Sequence, residues 1–416
     1  MLNIFLILIF IRPFISSLAL PNINYIYSLV LLLFLLIGIT SKNLAIKNIK
    51  SIQYPLILFV LALAAAAISS SNKIISLKEF NNYITAILAL LVAASLPWED
   101  KYKVIRTIIF TGFVISIFAI YQYFFGFSHL SEYVAKNKIT NQFVLDYIER
   151  KRIFYPFITP NTLAGYFILV MPLILIKTPL TLNPSPFAKA SGDKLPIGER
   201  ERVRGKLYYF KQWLILAMAL FALILTKSIG ALLSLFFGAC LYIYLKKRLT
   251  RKKIAALGVL TAICILIFIL RQTASEEHFL VSFSVGKRLD YWHQTLKIIK
   301  AHPFKGMGLG MFNLYSTRYA HNSYLQLWAE MGILGLISFL WLLFTVFKSI
   351  LKKLGTVPNL TSQHSLSGTV PIFSNDCPYF LVISCVAFLS HNLVDFTFFL
   401  PEVSLIWWVI LGLKVY

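Results

Sequence analysis

Apolar runs of about 20 residues recur along almost the whole chain, and each is long enough to cross a membrane as a helix. With 58% hydrophobic and only 13% charged residues, the chain lacks the polar surface of a soluble domain, in which about 25% of residues are charged. The sequence therefore predicts an all-α, polytopic integral membrane protein. It excludes a soluble enzyme, a disordered protein and a secreted disulfide scaffold. Twelve candidate spans lie near 3–20, 23–40, 52–70, 81–97, 104–125, 156–176, 208–226, 229–245, 254–270, 323–347, 378–396 and 401–416.

Basic residues dominate the charge, with 40 Lys and Arg against 16 Asp and Glu. Most of them lie in loops on one side of the predicted bundle, such as 42–50 and 101–106. Cytoplasmic loops of membrane proteins are enriched in Lys and Arg. This distribution predicts that both termini are cytoplasmic and that segments 71–80, 126–155 and 271–322 face outward. The basic excess therefore indicates membrane topology, and we expect no nucleic-acid partner.

Two segments interrupt the apolar pattern with Pro, Ser, Thr and charged residues. Neither can bury enough apolar surface to offset the entropy of ordering, so both are predicted as disordered cytoplasmic linkers. The predicted organisation is N-terminal helices with the first outer loop at 1–150, central helices at 155–270 interrupted by the linker 178–206, a large outer loop at 271–322, and C-terminal helices at 323–416 containing the linker 355–376.

The large outer loop begins with a helical pattern. Leu289, Trp292, Leu296 and Ile299 recur at helical spacing and predict an amphipathic helix with these side chains on its buried face. His302-Pro303 then ends the helix, and three glycines at alternate positions predict a flexible turn. The glycines are Gly306, Gly308 and Gly310.

His321 immediately precedes the tenth predicted span, where Asn322 or Ser323 would cap the helix. A helix N-terminus near arginines, here Arg318 and Arg288, is suited to binding an anion such as phosphate. A neutral histidine in that position can act as a base, since its reference pKa is about 6.5. Spacing alone favours the other interpretation, in which His321 is a capping or hydrogen-bonding residue at the membrane interface.

Several motifs here resemble the O-antigen ligase and polymerase family of lipid-linked glycan transferases. His321-Asn322, nine further residues and Gly332-x-x-Gly335 are similar to the pattern that ends the large periplasmic loop of the family's ligases. The resemblance covers roughly 155–416 without the linkers. It also includes Arg288 with the run up to Phe312, Pro160-Asn161-Thr162-Leu163-Ala164-Gly165, Met171-Pro172, the run His391-Asn392-Leu393-Val394-Asp395-Phe396, and Pro401.

The resemblance implies an enzyme of the bacterial inner membrane with its active site on the periplasmic side. Its donor would be a glycan linked to undecaprenyl diphosphate, and its acceptor would be lipid A-core, another glycan or a protein. His321 would deprotonate the acceptor hydroxyl, which attacks the anomeric carbon with inversion, and Arg288 would bind the diphosphate. The resemblance implies no metal and no cofactor, and membrane lipid would surround the protein.

One departure concerns the predicted turn between spans seven and eight. Family members commonly have Ser-Arg-Gly there, and that arginine is a second diphosphate ligand, whereas this chain has Ser228-Ile229-Gly230. Lys227 lies two positions before Ile229 and could reach the same anion as a point charge. Alternatively, it anchors the helix end at the interface.

Two further groups of polar residues each have two possible interpretations from the sequence. His391 and Asp395, four residues apart on the predicted eleventh span, either contact substrate or fix helix packing. The basic run Arg150-Lys151-Arg152, near Asn161, either contacts the donor phosphates or is a solvated charge run.

We expect an O-antigen ligase-type glycosyltransferase. Within the family, a glycan polymerase or a protein O-oligosaccharyltransferase is the alternative, because all three would share the site and differ in the acceptor. Outside the family, the alternatives are a transporter of lipid-linked sugars and a non-enzymatic scaffold. A transporter predicts charges spread through several spans, whereas the polar candidates gather at the predicted outer rim.

Overall fold

The computed structural model describes residues 1–42, 44, 50–140, 145, 148–176, 197–246, 250–272, 281–355 and 376–414. These described residues form helices and no β-strand. The helices are α1 Leu2–Ile11, α2 Pro21–Thr40, α3 Gln53–Ser69, α4 Lys73–Ser95, α5 Trp98–Tyr121, α6 Phe127–Lys136, α7 Pro160–Ile174, α8 Ile197–Leu225, α9 Ile229–Lys246, α10 Arg251–Gln272, α11 Val281–Ala301, α12 Ser323–Gly355, α13 Cys377–His391 and α14 Pro401–Lys414.

Each of the twelve predicted spans coincides with an apolar helix. Five helical stretches are long and apolar enough to cross a membrane, and they lie at Pro21–Thr40, Lys73–Ser95, Trp98–Lys136, Ile229–Lys246 and Ser323–Ser349. The other seven apolar helices are shorter, at 10–17 residues. The chain is therefore an all-helical membrane protein with at least five candidate spans, and the full count of twelve stays a prediction.

Local sequence signals place several helix starts. Thr159 caps α7 by accepting a hydrogen bond from the Thr162 backbone N–H at 3.2 Å, and Pro160 occupies the first turn, where its missing N–H costs nothing. Asn72 caps α4 in the same way through the Ile75 N–H at 3.1 Å. These caps fix where the helices enter the bundle.

The centre of the bundle is built from α7, α13 and α14. From Leu163 to Ile174 every side chain of α7 is buried, and so is every side chain of α14 from Glu402 to Leu413. By contrast, α2 and α10 expose large apolar side chains such as Leu33 and Phe268. In a membrane these exposed side chains would face lipid, so the outer helices are apolar on both faces.

Several sequence predictions need correction. The loop expected at 71–80 is mostly helix, because α4 already begins at Lys73 behind its Asn72 cap. The eleventh predicted span ends at His391 instead of continuing to 396, since Asn392 begins a turn. Most of the first predicted linker (178–196) and of the second (356–375) lies outside the described residues, and residues 197–206 are the first turns of α8.

The predicted helix in the large loop is present as α11, but its buried face is rotated. Leu289 and Leu296 are exposed, whereas Thr295 and Ile299 are buried and Trp292 is partly buried. The helix packs against the beginning of α12. The buried stripe therefore follows the tertiary contacts with α12 instead of the simple apolar periodicity.

Candidate active site

A short segment after α13 organises one end of the bundle. Within it, the Asn392 side-chain oxygen accepts a hydrogen bond from the Phe398 N–H at 2.8 Å and lies 2.8 Å from the Ser323 hydroxyl. The Ser323 N–H also donates to the Asn392 carbonyl at 2.9 Å. These bonds fix the N-terminus of α12 to the C-terminus of α13.

His321 lies immediately before α12, in the left-handed backbone region with φ +51°. The next residue, Asn322, caps the helix: its side-chain oxygen accepts hydrogen bonds from the N–H groups of Tyr324 at 3.0 Å and Leu325 at 3.1 Å. The indole N–H of Trp292 on α11 donates to the His321 carbonyl at 3.4 Å. The backbone of His321 is therefore fixed from both α12 and α11.

The His321 ring lies between two aromatic side chains. It stacks on Tyr291 at a centroid distance of 5.5 Å and meets the Phe396 ring edge-on at 4.8 Å. Its Nδ1 atom is buried and makes no hydrogen bond to any part of the chain that the structure describes. Burying a polar atom without a hydrogen bond lowers the stability of the folded protein, unless a ligand or a water molecule supplies the missing hydrogen bond.

The electrostatic environment keeps His321 neutral. Burial lowers the pKa of its imidazole from 6.5 to about 4; the Asp395 carboxylate opposes this shift, and the Arg288 guanidinium adds to it. At neutral pH the ring is therefore unprotonated and able to accept a proton, and Asp395 is placed to stabilise the imidazolium once it forms.

Arg288 is fixed at the same end of the bundle. Its Nε donates to the Val394 carbonyl at 2.8 Å, and its Nη1 donates to the Ser284 hydroxyl at 2.6 Å. Because Arg288, Tyr291 and Trp292 all lie on α11, this one helix carries the guanidinium and also two of the side chains that contact His321.

His391 and Asp395 are paired, although Asp395 lies beyond the end of α13 and not on the predicted helix. Their Nε2 and Oδ2 atoms are 3.8 Å apart, and both side chains are only 1% exposed. The turn after His391 brings Asp395 back towards the ring. In the described structure neither His391 nitrogen makes a hydrogen bond, and nor does Asp395 Oδ2.

Asn161 lies next to His391, and Lys227 lies at the turn between α8 and α9. A backbone group of Asn161 approaches the His391 ring, as does one of Gly230. Lys227 occupies a left-handed turn with φ +53° at the end of α8, and its ammonium donates to the Arg150 carbonyl at 2.8 Å. Lys227 thus holds the loop before α7, and its charge lies at the turn that leads into α9.

Arg152 is a residue that the sequence interpretation did not single out from its basic run. Its Nε donates to the Thr226 carbonyl at 2.9 Å, and its Nη2 donates to the Asn161 side-chain oxygen at 3.4 Å. Its neighbour Lys151 is exposed. The proximity to Asn161 in the sequence was the available signal, but only tertiary structure separates these neighbouring basic residues.

Arg318 lies further away. Its guanidinium is half exposed and forms an ion pair of 3.9 Å with Glu79 on α4. The adjacent Tyr319 stacks on Phe396 at 4.1 Å, and Phe396 in turn contacts His321. Arg318 therefore lies at the edge of an aromatic surface next to the site.

The glycines that follow α11 form a pinned loop and not the flexible turn predicted from the sequence. Gly332 has φ +70° and breaks the regular geometry of α12. Around this break, the carbonyls of Ala329 and Glu330 accept hydrogen bonds from the N–H groups of Met307 at 2.8 Å and Gly308 at 3.1 Å. A side chain at Gly332 would overlap the Phe304 carbonyl.

The position of Glu330 completes this loop. Its carboxylate accepts hydrogen bonds from the Gly310 N–H at 2.7 Å and from the Gln326 amide at 2.9 Å. The histidine and the glycines of the His-Asn-x9-Gly-x-x-Gly pattern thus have different roles. His321 lies at the candidate site, whereas Gly332 holds the loop that supports the first turns of α12.

The described residues contain no group of three or more His, Cys, Asp and Glu side chains arranged to hold a metal ion. The groups that the structure gathers are instead a neutral histidine, a buried His–Asp pair and guanidinium groups. Such a set can transfer a proton and bind an anion.

A comparison with known families matches residues 214–340 to the family described as O-antigen ligase. The match contains Lys227, Arg288, Arg318, His321 and Asn322. It ends before His391 and begins after Asn161. No curated protein matches the chain. The family match therefore shows that residues 214–340, which include His321 and Arg288, are similar to the O-antigen ligase family.

Proposed function

We propose that this protein transfers a glycan from undecaprenyl diphosphate to an acceptor hydroxyl, as an O-antigen ligase-type enzyme of the bacterial inner membrane. The observation that carries the proposal is the neutral, desolvated His321 at a helix N-terminus, with the fixed guanidinium of Arg288 on the helix that packs against it. The family match supports a glycosyltransferase in general terms.

In the proposed reaction, His321 accepts the proton of the acceptor hydroxyl while the hydroxyl oxygen attacks the anomeric carbon. The bond between that carbon and the diphosphate oxygen breaks, and its electron pair leaves with the undecaprenyl diphosphate. Attack opposite the leaving group inverts the anomeric centre. The step needs no redox partner, because one C–O bond replaces another.

The charges around His321 fit this sequence of events. The leaving diphosphate gains negative charge as the bond breaks, and the fixed guanidinium of Arg288 stabilises that charge without reorganising. The His321 imidazolium formed at the same time is stabilised by Asp395. Both developing charges therefore meet an opposite charge that is already in position.

The remaining candidates have supporting roles. Asn322 caps α12 and holds His321 in place, while Asn161, His391 and Lys227 line the donor side. Arg318 and the stacked Tyr319 lie on the other side of Phe396, where an acceptor sugar would find an aromatic face and a charged rim.

We propose that this end of the bundle faces the periplasm and that both termini are cytoplasmic. The opposite end supports this orientation, because basic side chains gather there: Lys101 donates to the Leu413 carbonyl at 3.2 Å, and Lys246 pairs with Asp376. Basic residues concentrate on the cytoplasmic side of membrane proteins.

The test is a transfer assay with the full chain reconstituted in liposomes, a diphosphate-linked oligosaccharide and lipid A-core, glycan or protein acceptors. We expect His321→Ala to lower the rate about 10²–10⁴-fold, the usual contribution of a general base. His293→Ala is the matched control, because His293 is exposed on α11, and it should transfer at the wild-type rate.

The acceptor that supports transfer would distinguish ligation, polymerisation and protein glycosylation. Wild-type transfer that survives in His321→Ala would remove the proposed base. A wild-type protein that binds the donor and transfers to no acceptor would favour a transporter or a scaffold.

A further inference from the structure

A chain of hydrogen bonds runs along the first turns of α12 towards His321. The Gln326 side-chain oxygen accepts a hydrogen bond from the Ala320 backbone N–H at 3.1 Å, and the Gln326 amide donates to one oxygen of Glu330 at 2.9 Å. The other oxygen of Glu330 accepts a hydrogen bond from the Gly310 N–H at 2.7 Å. The chain therefore connects the glycine loop after α11 with the residue that precedes His321.

Three members of this chain are shielded from water: Ala320 is fully buried, and Gln326 and Glu330 are 2% and 3% exposed. A buried N–H group that loses its acceptor costs more free energy than a hydrogen bond gains, because nothing replaces the lost partner. Without the Gln326 oxygen, the segment around Ala320 would therefore have to move until its N–H found another acceptor.

The conformation of His321 depends on what holds the chain around it. Its φ of +51° lies in the left-handed region, which a residue other than glycine adopts only at a cost in free energy. Such a conformation persists where the surrounding structure imposes it. The Gln326 side chain holds the N–H of Ala320, and the Trp292 indole holds the carbonyl of His321. The backbone is thus held both before and after the strained residue.

The far end of the hydrogen-bond chain is anchored on the N-terminal helices. Leu309, next to Gly310, donates its N–H to the Ala66 carbonyl of α3 at 3.4 Å, and its carbonyl accepts a hydrogen bond from the Ser76 hydroxyl of α4 at 2.5 Å. Gly310 has φ +72°, and a Cβ atom there would lie 2.6 Å from the Glu79 side chain of α4. Gly310 is therefore fixed against α3 and α4 and presents its N–H in a defined position.

The directions of these hydrogen bonds restrict which residue types can form the chain. Both ends are backbone N–H groups, those of Ala320 and Gly310, and both require an acceptor. An amide side chain has one acceptor group and one donor group, whereas a carboxylate accepts through both oxygens. One of the two side chains must therefore be a carboxylate. With an amide at both positions, one N–H group would face another.

We propose that Gln326 and Glu330 are positioning residues of the transfer reaction, which hold the backbone of His321 against the glycine loop that is fixed on α3 and α4. The proposal rests on the proposed function, in which His321 is the base. Neither side chain acts on the substrate; both act through the Ala320 N–H. Displacement of a reacting group by about 1 Å can lower a rate about 10²-fold.

The competing interpretation is that this chain only satisfies buried polar groups of α12. Breaking it would then lower the stability of the protein, but each folded molecule would keep the wild-type kcat and the wild-type surroundings of His321. Two measurements separate the interpretations: kcat per folded molecule, and the pKa of the His321 imidazole, which burial lowers to about 4.

The experiment compares variants of nearly the same shape in the full chain, reconstituted in liposomes. Glu330→Gln places an amide at both positions, so we expect kcat to fall about 10–100-fold with little change in KM. Gln326→Glu combined with Glu330→Gln exchanges the two groups, restores an acceptor for each N–H and keeps the net charge, so it should recover most of the wild-type kcat. Ser338→Ala removes another buried hydrogen bond of α12, to the Gly335 carbonyl, and is the matched control with wild-type kcat.

The pKa of His321, measured by NMR, is a second readout that needs no substrate. In Glu330→Gln it should rise from about 4 towards 6.5, because an imidazole that leaves its buried position is better solvated. The exchange variant should return it to the wild-type value. An unchanged kcat and pKa in Glu330→Gln would overturn the positioning role and leave the proposed function intact.

The exchange variant also tests the proposal if Glu330→Gln does not fold. A folded exchange variant that has lost transfer, or one that is no more active than Glu330→Gln, would show that the directions of these hydrogen bonds do not position His321. A wild-type protein that transfers no glycan, although its His321 pKa responds to Glu330→Gln as expected, would instead contradict the proposed function and not the positioning of His321.

Discussion

Two polar clusters lie within this apolar bundle, and they differ in how far their hydrogen bonds are satisfied. In the first, each of the three guanidinium nitrogens of Arg12 donates to the protein: Nε to the Pro401 carbonyl at 3.1 Å, Nη1 to the Ile15 carbonyl at 3.0 Å, and Nη2 to the Asn24 side chain at 2.5 Å. In the second, His321 Nδ1 and both nitrogens of His391 have no hydrogen-bond partner in the described structure.

The difference indicates two roles for buried polarity. Arg12 also lies 3.8 Å from Glu402 Oε2, so its charge is neutralised within the protein. Glu402 Oε1 accepts a hydrogen bond from the Ser17 N–H at 3.1 Å, and Oε2, which makes no hydrogen bond in the described structure, faces the guanidinium as its ionic partner. A buried charge with its partners in place fixes the packing of the elements that supply them. A buried histidine without partners has hydrogen-bonding capacity to offer a ligand. We call these the closed cluster (Arg12, Asn24, Glu402) and the open cluster (Arg288, His321, His391, Asp395).

The largest expected effect on stability comes from breaking the closed cluster. Arg12→Ala leaves Glu402 buried without its cation and should lower the free energy of unfolding by about 3–5 kcal/mol. Denaturation of the purified protein in detergent measures this loss, with Arg251→Ala, an exposed residue, as the control.

The transfer rate per folded Arg12→Ala molecule should stay near the wild-type value, because Arg12 lies outside the open cluster. A stable Arg12→Ala protein that has lost transfer would contradict the division between the two clusters.

The second largest effect is expected in the open cluster, where a substitution should lower the transfer rate more than the stability. Arg288→Gln removes a fixed charge from the proposed leaving group and should lower transfer about 10²–10³-fold, as the loss of a preorganised electrostatic donor does. The free energy of unfolding should fall by about 1–3 kcal/mol, less than in Arg12→Ala, since the hydrogen bonds to Val394 and Ser284 are lost. Unfolding as severe as in Arg12→Ala would make Arg288 a structural residue.

The third effect is a pKa shift, measured by NMR of labelled histidine. The pKa of His321 should be about 4 in the free protein. Asp395→Asn should lower this pKa further because it removes an attractive negative charge, and Arg288→Gln should raise it because it removes a repulsive positive charge. Shifts in the opposite directions would refute the proposed arrangement of charges.

The lowered pKa also fixes the direction of two pH dependences. Between pH 6.5 and about 4 the unfolded chain binds a proton that folded His321 does not, so the stability contribution of this residue is lost as the pH falls through that window. The pH dependence of kcat/KM reports the pKa values of the free enzyme, so kcat/KM should begin to fall on the acid side only well below pH 6.5. A fall of kcat/KM centred at pH 6.5 would show that His321 titrates like an exposed histidine.

The sequence anticipated the parts of this molecule that depend on local pattern. The apolar runs marked the apolar helices, and Asn322 was one of two predicted caps for α12. The sequence could not identify the buried face of α11, because the packing of α11 on α12 buries Thr295 and leaves Leu289 exposed. Nor could it place Asp395 beyond the end of α13, or distinguish Arg152 from Lys151, since both depend on contacts between distant segments.

The smallest predicted effect tests how His321 is held. Asn322→Ala removes the cap of α12 and should lower the free energy of unfolding by about 1 kcal/mol, whereas Asn322→Ser keeps a capping oxygen and should cost less. Because Asn322 and Trp292 both fix the backbone of His321, one loss leaves the other in place, and transfer should fall only a few-fold in Asn322→Ala. A large loss of transfer in both variants, with stability unchanged, would mean that the Asn322 side chain contacts substrate directly. Asn322 would then belong to the open cluster as a ligand and not as a cap.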